Sequence, residues 1–362
     1  MIFDDLRNGL YANAINNVVK KSSVVIDVGA GSGIHGMMAA KAGARKVYLV
    51  EPSTELDVAI KVASQHQLSE QIIPVRSTIE EAQIDEMADV ILSVFTGNFL
   101  LEEDLLPSLF YARDRYLSDS GTLIPDRAVM EVMPVSAQAY FDKHVACWSR
   151  PAREIDYSLV RQFAANNVFF DDFRDLYNGL LSRPAVVYEL DFMRASSAAC
   201  HRKVSMTIEQ DGACHGMLGW FNTRIGSAWL STSPQAPRTH WSQAFMPFDP
   251  PLNLNRGDVL DFELQRPEFG EWTWTVTCAD MSQRHSTFLS EPVSPEKIRK
   301  KSEHFLGRLN DRGSVALEIM QRLDGNESIR TIASDIAEKY PGLFPESRLA
   351  TKYVISLVEQ FC

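Results

Sequence analysis

Three glycines and one acid carry the first chemical signal in this chain. Gly29, Gly31 and Gly33 alternate along one short stretch, and Glu51 follows about 20 residues later. Glycines spaced this way let the backbone turn sharply and approach a ligand with no Cβ in between. A carboxylate that far downstream is placed to accept hydrogen bonds from a ribose diol. The implied chemistry is nucleoside binding. A plain strand-to-helix turn with no ligand is the alternative, and the acid at this spacing argues against it.

Those residues need particular elements to hold them. Val24–Val28 is short, apolar and rich in β-branched residues, and reads as a buried parallel strand. Residues 37–44 read as helix and Lys46–Val50 as the next strand, which ends at Glu51. Ile72–Val75, 90–93 and 122–124 continue the alternation of strand and helix. The stretch 100–117 reads as one long helix, stopped by Ser118, Asp119, Ser120 and Gly121.

Motifs in order along the chain resemble the protein arginine methyltransferases. Met1, Asp4, Arg7 and Tyr11 match that family's M-x-x-D-x-x-R-x-x-x-Y helix. The glycine segment from Ile26 to Ile34 matches its cofactor motif, and Ile79-Glu80-Glu81 its V-E-E segment. Tyr111-Ala112-Arg113-Asp114, Pro125-Asp126-Arg127-Ala128, Ser231-Thr232-Ser233-Pro234 and Thr239-His240-Trp241 match Y-A-R-D, P-D-R-A, S-T-S-P and T-H-W. The resemblance implies a Rossmann-like α/β domain over 1–128 and an antiparallel β-barrel over 129–289. It also implies S-adenosylmethionine as cofactor, with S-adenosylhomocysteine as product and no metal. By the same resemblance Arg7 would pair with the methionine carboxylate. Asp27, Gly29 and Gly31 would flank the methionine moiety, Glu51 would bind the ribose, and Ile79 and Glu80 would meet the adenine. His240 would come from the barrel near the catalytic carboxylates, to relay a proton or support an ion pair, with a plain hydrogen-bonded barrel histidine as the alternative, and Trp241 would lie beside the acceptor.

The acceptor loop departs from the family. Its pattern S-E-W-M-G-Y-x-L-x-x-E places two glutamates around a guanidinium. Here the loop runs from Ser93 to Glu103, with Val94, Phe95, Thr96 and Asn98 where the family has Glu, Trp, Met and Tyr. Glu103 keeps the second acid. Leaving a buried guanidinium half-paired costs about 3–5 kcal/mol, so protein-arginine methylation by the usual route is not expected. An amine, amide or imidazole nitrogen would suit an apolar wall at Val94, with Phe95 and Asn98 lining the site. Glu103 would orient the acceptor or take its proton. Glu102 is set aside because successive helical residues point about 100° apart. His35, just after the glycines, is read as an ordinary helix histidine. The family's lid helix, which precedes the matched Met, has no counterpart before Met1, so the cofactor pocket is expected to be open or covered by another segment.

Composition narrows the classes further. The 362 residues carry a formal net charge of −11 and no basic run that would mark a nucleic-acid footprint. Cys147, Cys200, Cys214, Cys278 and Cys362 are scattered with no C-x-x-C spacing, so neither zinc nor a disulfide framework is expected. No signal peptide and no apolar run of about 18 residues is seen, which points to a cytoplasmic protein that does not span a membrane.

Barrel strands are expected at 130–135, 187–192, 203–208, 217–221, 259–264 and 272–278. Between them, about 151–184, lies an insertion read as helical over 155–181, containing Phe163, Phe169, Phe170, Phe173, Leu176 and Tyr177. In the family the comparable insertion is a dimerisation arm, so a homodimer is implied, with packing on the chain's own barrel as the alternative. Residues 290–362 fall outside this resemblance. A linker to Lys301 precedes three amphipathic helices. The first is expected to bury Ala316, Ile319, Met320 and Leu323. The second, capped by Ser328, buries Ile329, Ile332, Ala333 and Ile336, and the third Tyr353, Val354, Leu357, Val358 and Phe361. This region is similar to PqqD-like, winged-helix-like modules that bind leader peptides by strand addition. The combined expectation is an S-adenosylmethionine-dependent N-methyltransferase acting on a peptide. A methyltransferase of a small amine or guanidino metabolite such as free arginine, and a silent cofactor- or partner-binding protein, remain as alternatives.

Overall fold

In the computed structural model, residues 1–300 and 302–362 are described, and the side chains of Tyr177 and Asn178 are not. Lys301 and the Tyr177 side chain, both named above, therefore lie outside the described residues. The chain divides into two units, Met1–Pro292 and Val293–Cys362.

The first unit begins with α1 (Asp5–Val18), β1 (Val24–Val28), α2 (Ile34–Lys41), β2 (Lys46–Val50), α3 (Glu55–Gln65) and β3 (Ile72–Val75). It continues with β4 (Ala88–Ser93), α4 (Leu106–Tyr116) and β5 (Leu117–Ile124). These strands form one parallel sheet in the order β3-β2-β1-β4-β5. All five residues of β1 are buried. The order reverses between β1 and β4, which opens a crevice at their carboxyl ends. The glycine turn, Glu51 and the loop after Ser93 all start from that edge.

Two expectations for this sheet need correction. The helix read over 100–117 is shorter, because Phe99, Leu100 and Asp104 have positive φ and keep the stretch before Leu106 non-helical. Pro107 then sits in the first turn of α4, where its missing N–H costs nothing. Ser118 to Gly121 is not a turn: it lies within β5, where the register against β4 shifts between Ala88 and Val90.

Antiparallel strands follow: β6 (Arg127–Val135), β7 (Phe169–Asp171), β8 (Ala185–Asp191), β9 (Cys200–Thr207), β10 (Gly212–Ile225) and β11 (Ala228–Ser231). The last four are β12 (Gln243–Leu254), β13 (Val259–Arg266), β14 (Thr273–Cys278) and β15 (Met281–Ser286). They make one sheet ordered β7-β12-β10-β6-β8, with β11 on β10, and another ordered β15-β14-β13-β9. Six strands stand where expected, with bounds shifted by up to five residues. Four were not foreseen. β12 holds Pro247, Pro250 and Pro251, which read as breakers, and β15 is polar. β7 and β11 are only three and four residues long.

The insertion is not continuously helical. It contains α6 (Leu159–Ala165), β7 and a single 3-10 stretch, Arg174–Gly179, and is preceded by α5 (Gln138–His144). Phe173 is buried, and Phe169 and Leu176 pack with it against Val135, Leu218 and Phe245 of the chain's own sheet. Among the described residues the insertion leaves Ile155, Tyr157 and Leu159 exposed, with Trp148 exposed just before it.

The second unit is all helical among its described residues: α7 (Pro295–Lys300), α8 (Asp311–Arg322), α9 (Ile329–Lys339) and α10 (Ser347–Phe361). Ser328 caps α9 by accepting from the Thr331 N–H. Val315, Ile319, Ile332, Ala333, Ile336, Phe344, Ala350, Val354 and Leu357 form its core. Met320 and Phe361, expected inside, are exposed. No strand occurs in this unit among the described residues, so it offers no sheet edge to which a peptide could add.

Candidate active site

One helix organises the site. Asp4 caps α1 by accepting from the Arg7 N–H at 3.1 Å through one oxygen. Its other oxygen accepts from the His240 backbone N–H at 3.0 Å and lies 2.9 Å from His240 Nδ1. Burial opposes the Asp4 charge, but these hydrogen bonds outweigh it and hold the carboxyl below its ordinary range. Burial also pushes His240 down, with the Asp4 bond partly offsetting it. The imidazole is therefore neutral at pH 7 and donates through Nδ1 to Asp4. The observed partner of His240 is thus the α1 cap.

Arg7, one turn into α1, is 1% exposed. Its Nε and Nη2 donate to Asn8 Oδ1 at 3.2 and 2.9 Å, and Nη2 also reaches the Met1 carbonyl at 2.8 Å. Nη1 is buried and has no partner. A guanidinium stays charged even where burial lowers its pKa, so this orphan donor calls for an anion. Tyr11, the next turn on, donates its hydroxyl to the Ser93 carbonyl at 2.6 Å, at the start of the acceptor loop.

The glycine turn behaves as its sequence predicts. Gly29, Gly31 and Gly33 all have positive φ, and a Cβ on Gly31 would meet nothing within 4 Å, so the backbone there borders open space. Glu51 accepts from Gly31 N–H at 2.9 Å and Ser53 N–H at 3.0 Å, which fixes its carboxylate over the turn and leaves lone pairs free. Asp27 is 2% exposed and accepts from Gly36 N–H at 2.8 Å. Burial pushes its carboxyl up to about 7, the Gly36 bond lowers it, and the Glu51 charge raises it further. Ile79 is buried. Glu80 is exposed and takes a hydrogen bond from Ser108 Oγ at 2.5 Å, so its carboxylate already has a partner on α4.

The acceptor loop is tied to the barrel strands. Trp241 Nε1 donates to the Thr96 carbonyl at 2.6 Å, and Ser242 N–H to Asn98 Oδ1 at 2.9 Å. Asp104 holds Arg266 through two bonds, at 2.6 and 2.7 Å. Trp272 stacks on Phe99 and donates to Glu102 at 2.7 Å. This contact, not helical geometry, removes Glu102 from the acceptor site. Glu103 packs against Gly97, where a Cβ would come within 2.9 Å of its backbone nitrogen, and its carboxylate is exposed. Phe95 covers Gly29 so closely that a Cβ there would lie 2.1 Å from the ring. Val94 is half-buried against the main core.

Sequence reasoning missed Asp104, Arg266 and Trp272, because their contacts join residues far apart in the chain. It also read His35 as ordinary. That residue is 3% exposed and stacks on Tyr11 with ring centroids 4.2 Å apart. A lone histidine at the start of the otherwise apolar α2 was the available signal.

The arrangement fits a nucleoside cofactor with a carboxylate end, judged by the orphan Arg7 nitrogen and the open glycine turn. Comparison with known proteins names the class. A family model described as the arginine methyltransferase oligomerization subdomain matches residues 126–270. Another, for the ribosomal protein L11 methyltransferase, matches residues 10–124. Protein arginine N-methyltransferase 6 of Danio rerio is 30% identical over 278 residues, covering 73% of this chain and 79% of the relative. The chain belongs to the protein arginine N-methyltransferase family. Protein arginine N-methyltransferase 1 of Saccharomyces cerevisiae is 28% identical over 273 residues, 73% of this chain and 78% of the relative. Among solved structures, the Trypanosoma brucei PRMT1 enzyme–prozyme heterotetrameric complex with AdoHcy matches with a TM-score of 0.73 at 25% identity, over 79% of this chain and 96% of that one. Arabidopsis thaliana protein arginine methyltransferase 10 shares the fold, with a TM-score of 0.68 at 24% identity over 79% of this chain and 96% of that one. The protein is an S-adenosylmethionine-dependent methyltransferase of this family. Among the described residues no helix is long and apolar enough to cross a membrane.

Proposed function

We propose that this methyltransferase transfers a methyl group to a nitrogen acceptor other than a protein arginine, and that the acceptor belongs to a peptide. The observation that carries this reading is the acceptor loop. Val94 replaces one acid, Glu102 is held by a hydrogen bond from Trp272, and Glu103 is exposed and free of that contact. One carboxylate orients an amine or takes a proton from an amide or imidazole nitrogen, but it grips a guanidinium poorly.

Bound S-adenosylmethionine supplies an electrophilic methyl on its sulfonium. In this reading Arg7 holds the methionine carboxylate, Asp27, Gly29 and Gly31 border the methionine moiety, and Glu51 accepts from the ribose. Ile79 packs on the adenine, and Glu80 accepts from its amino group after exchanging Ser108. Val94, Phe95, Asn98 and Trp241 shape the acceptor site, where positioning and exclusion of water do most of the work. His240 acts through Asp4, by locking the cap of α1. The unit Val293–Cys362 would deliver the peptide, here through helix faces, as a PqqD-like module does through its own surface. The exposed Ile155, Tyr157 and Leu159, with Trp148 just before them, would join two copies through the segment 151–184.

A second reading is a silent, partner-binding member. Val94 favours it too, as does the structural neighbour whose complex pairs an enzyme with a prozyme. Transfer of isotope-labelled methyl from S-adenosylmethionine separates the readings. Free arginine, an arginine-rich peptide and extract of the native organism serve as parallel acceptors. Label in a peptide fraction of the extract supports the proposal, and label in a small metabolite replaces the peptide. No label from a cofactor-binding preparation favours the silent member. Arginine methylation that appears only in Val94→Glu would mark position 94 as the point of divergence.

A further inference from the structure

We infer that His35 is a second donor to the carboxylate of the cofactor's methionine moiety, acting beside Arg7; this rests on the cofactor reading above. Two buried nitrogens at this end of the site have no partner: Nη1 of Arg7 and Nε2 of His35. Their residues are 1% and 3% exposed, so bulk water does not reach them. They come from different elements, Arg7 from α1 and His35 from the first turn of α2. Tyr11 joins the two: it follows Arg7 by one turn of α1 and stacks on the His35 ring at 4.2 Å and 25°.

The group that satisfies both nitrogens is an anion. A guanidinium can only donate, and it repels a cation. The N-terminal turn of α2, where His35 sits, adds partial positive charge of its own. Burial, reinforced by the Arg7 charge, keeps His35 neutral, pushing it down to about 3. A neutral imidazole carrying its proton on Nε2 then donates one hydrogen bond at no cost in added charge. The cofactor has one anionic group, its carboxylate, and that group has an oxygen for each donor. Leaving either nitrogen unpaired in the interior is unfavourable, so the free protein stores a mismatch that this ligand relieves.

The test measures binding rather than turnover. Wild type, His35→Leu and His35→Gln are titrated calorimetrically with S-adenosylmethionine and with decarboxylated S-adenosylmethionine, which lacks only the carboxylate. Loss of a hydrogen bond to a charged group predicts about tenfold or more weaker binding of S-adenosylmethionine by His35→Leu. The decarboxylated ligand should bind wild type and His35→Leu alike, and His35→Gln, which keeps a donor, should recover most of the affinity. Equal losses for both ligands, or none for either, overturn the inference. Nitrogen NMR of histidine-labelled wild type keeps the test open if the leucine variant fails to fold. The His35 Nε2 resonance should move with S-adenosylmethionine and stay with the decarboxylated ligand; a resonance indifferent to the carboxylate overturns it. Wild type that binds neither ligand overturns the cofactor reading itself, while binding with a silent His35 overturns only the inference.

Discussion

In the proposed function Glu51 serves the cofactor and Glu103 the acceptor, so their variants should separate cleanly. Glu51→Ala removes an acceptor for the ribose and frees the Gly31 and Ser53 amides that it holds. Its affinity for S-adenosylhomocysteine should fall roughly 10- to 100-fold by calorimetry, and unchanged affinity would remove the ribose assignment. Glu103→Ala should leave that affinity within about twofold while turnover drops at least about 100-fold, the scale of a lost general base. Retained turnover would take Glu103 out of the chemistry. The glycine turn and the place of Glu51 over it were legible because both depend on spacing within one strand-turn-helix unit. Arg7 was legible only through motif resemblance. The partner of His240 was not, since Asp4 lies at the other end of the unit and nothing local links them. The burial of His35 was hidden as well, since a single position does not declare it.

At the scale of elements, the acceptor loop is as much a part of the barrel as of the parallel sheet. Arg266 is 5% exposed and depends on Asp104 for charge balance. Asp104→Ala should lower stability by about 3–5 kcal/mol in urea unfolding, because it strands a buried cation. A midpoint equal to wild type would show the pair to be idle. The parallel sheet was readable because buried parallel strands are continuous apolar runs. The region 100–121 was not, since positive φ at Phe99, Leu100 and Asp104 and the register shift in β5 are imposed by tertiary contacts. β12 defeated the reading for a plainer reason: its prolines outweighed its apolar residues, yet it pairs with both β10 and β7. In the C-terminal unit the helix positions were sound, while the inward face was misjudged at both ends, at Met320 and Phe361.

For the whole molecule, the two buried titratable groups near the cofactor end pull stability in opposite directions with pH. Burial pushes Asp27 up to about 7, so between about 4 and 7 the folded chain holds a proton that the unfolded chain has released. That contribution to stability shrinks as the pH rises through this window. His35 lies at about 3 when folded and near 6.5 when unfolded, so its contribution shrinks as the pH falls from about 6.5. The two slopes oppose each other over about pH 4 to 6.5. His35→Leu removes one of them. Relative to wild type, the variant should gain stability between pH 7 and pH 5, read as a shift of urea midpoints. Equal shifts in both proteins would count against a buried neutral His35.

Helix α1 carries a kinetic consequence. Asp4, Arg7 and Tyr11 lie on successive turns and touch, in order, the T-H-W segment, the cofactor end and the first carbonyl of the acceptor loop. Whatever settles Arg7 also settles the two contacts on either side of it. With the cofactor carboxylate on Arg7, both neighbouring contacts are reinforced, so addition should be ordered, cofactor first. In initial-rate measurements S-adenosylhomocysteine should compete with S-adenosylmethionine but not with the acceptor, and an unreactive acceptor analogue should inhibit uncompetitively against S-adenosylmethionine. Noncompetitive inhibition by the acceptor analogue against S-adenosylmethionine would mean random addition and two independently formed sites.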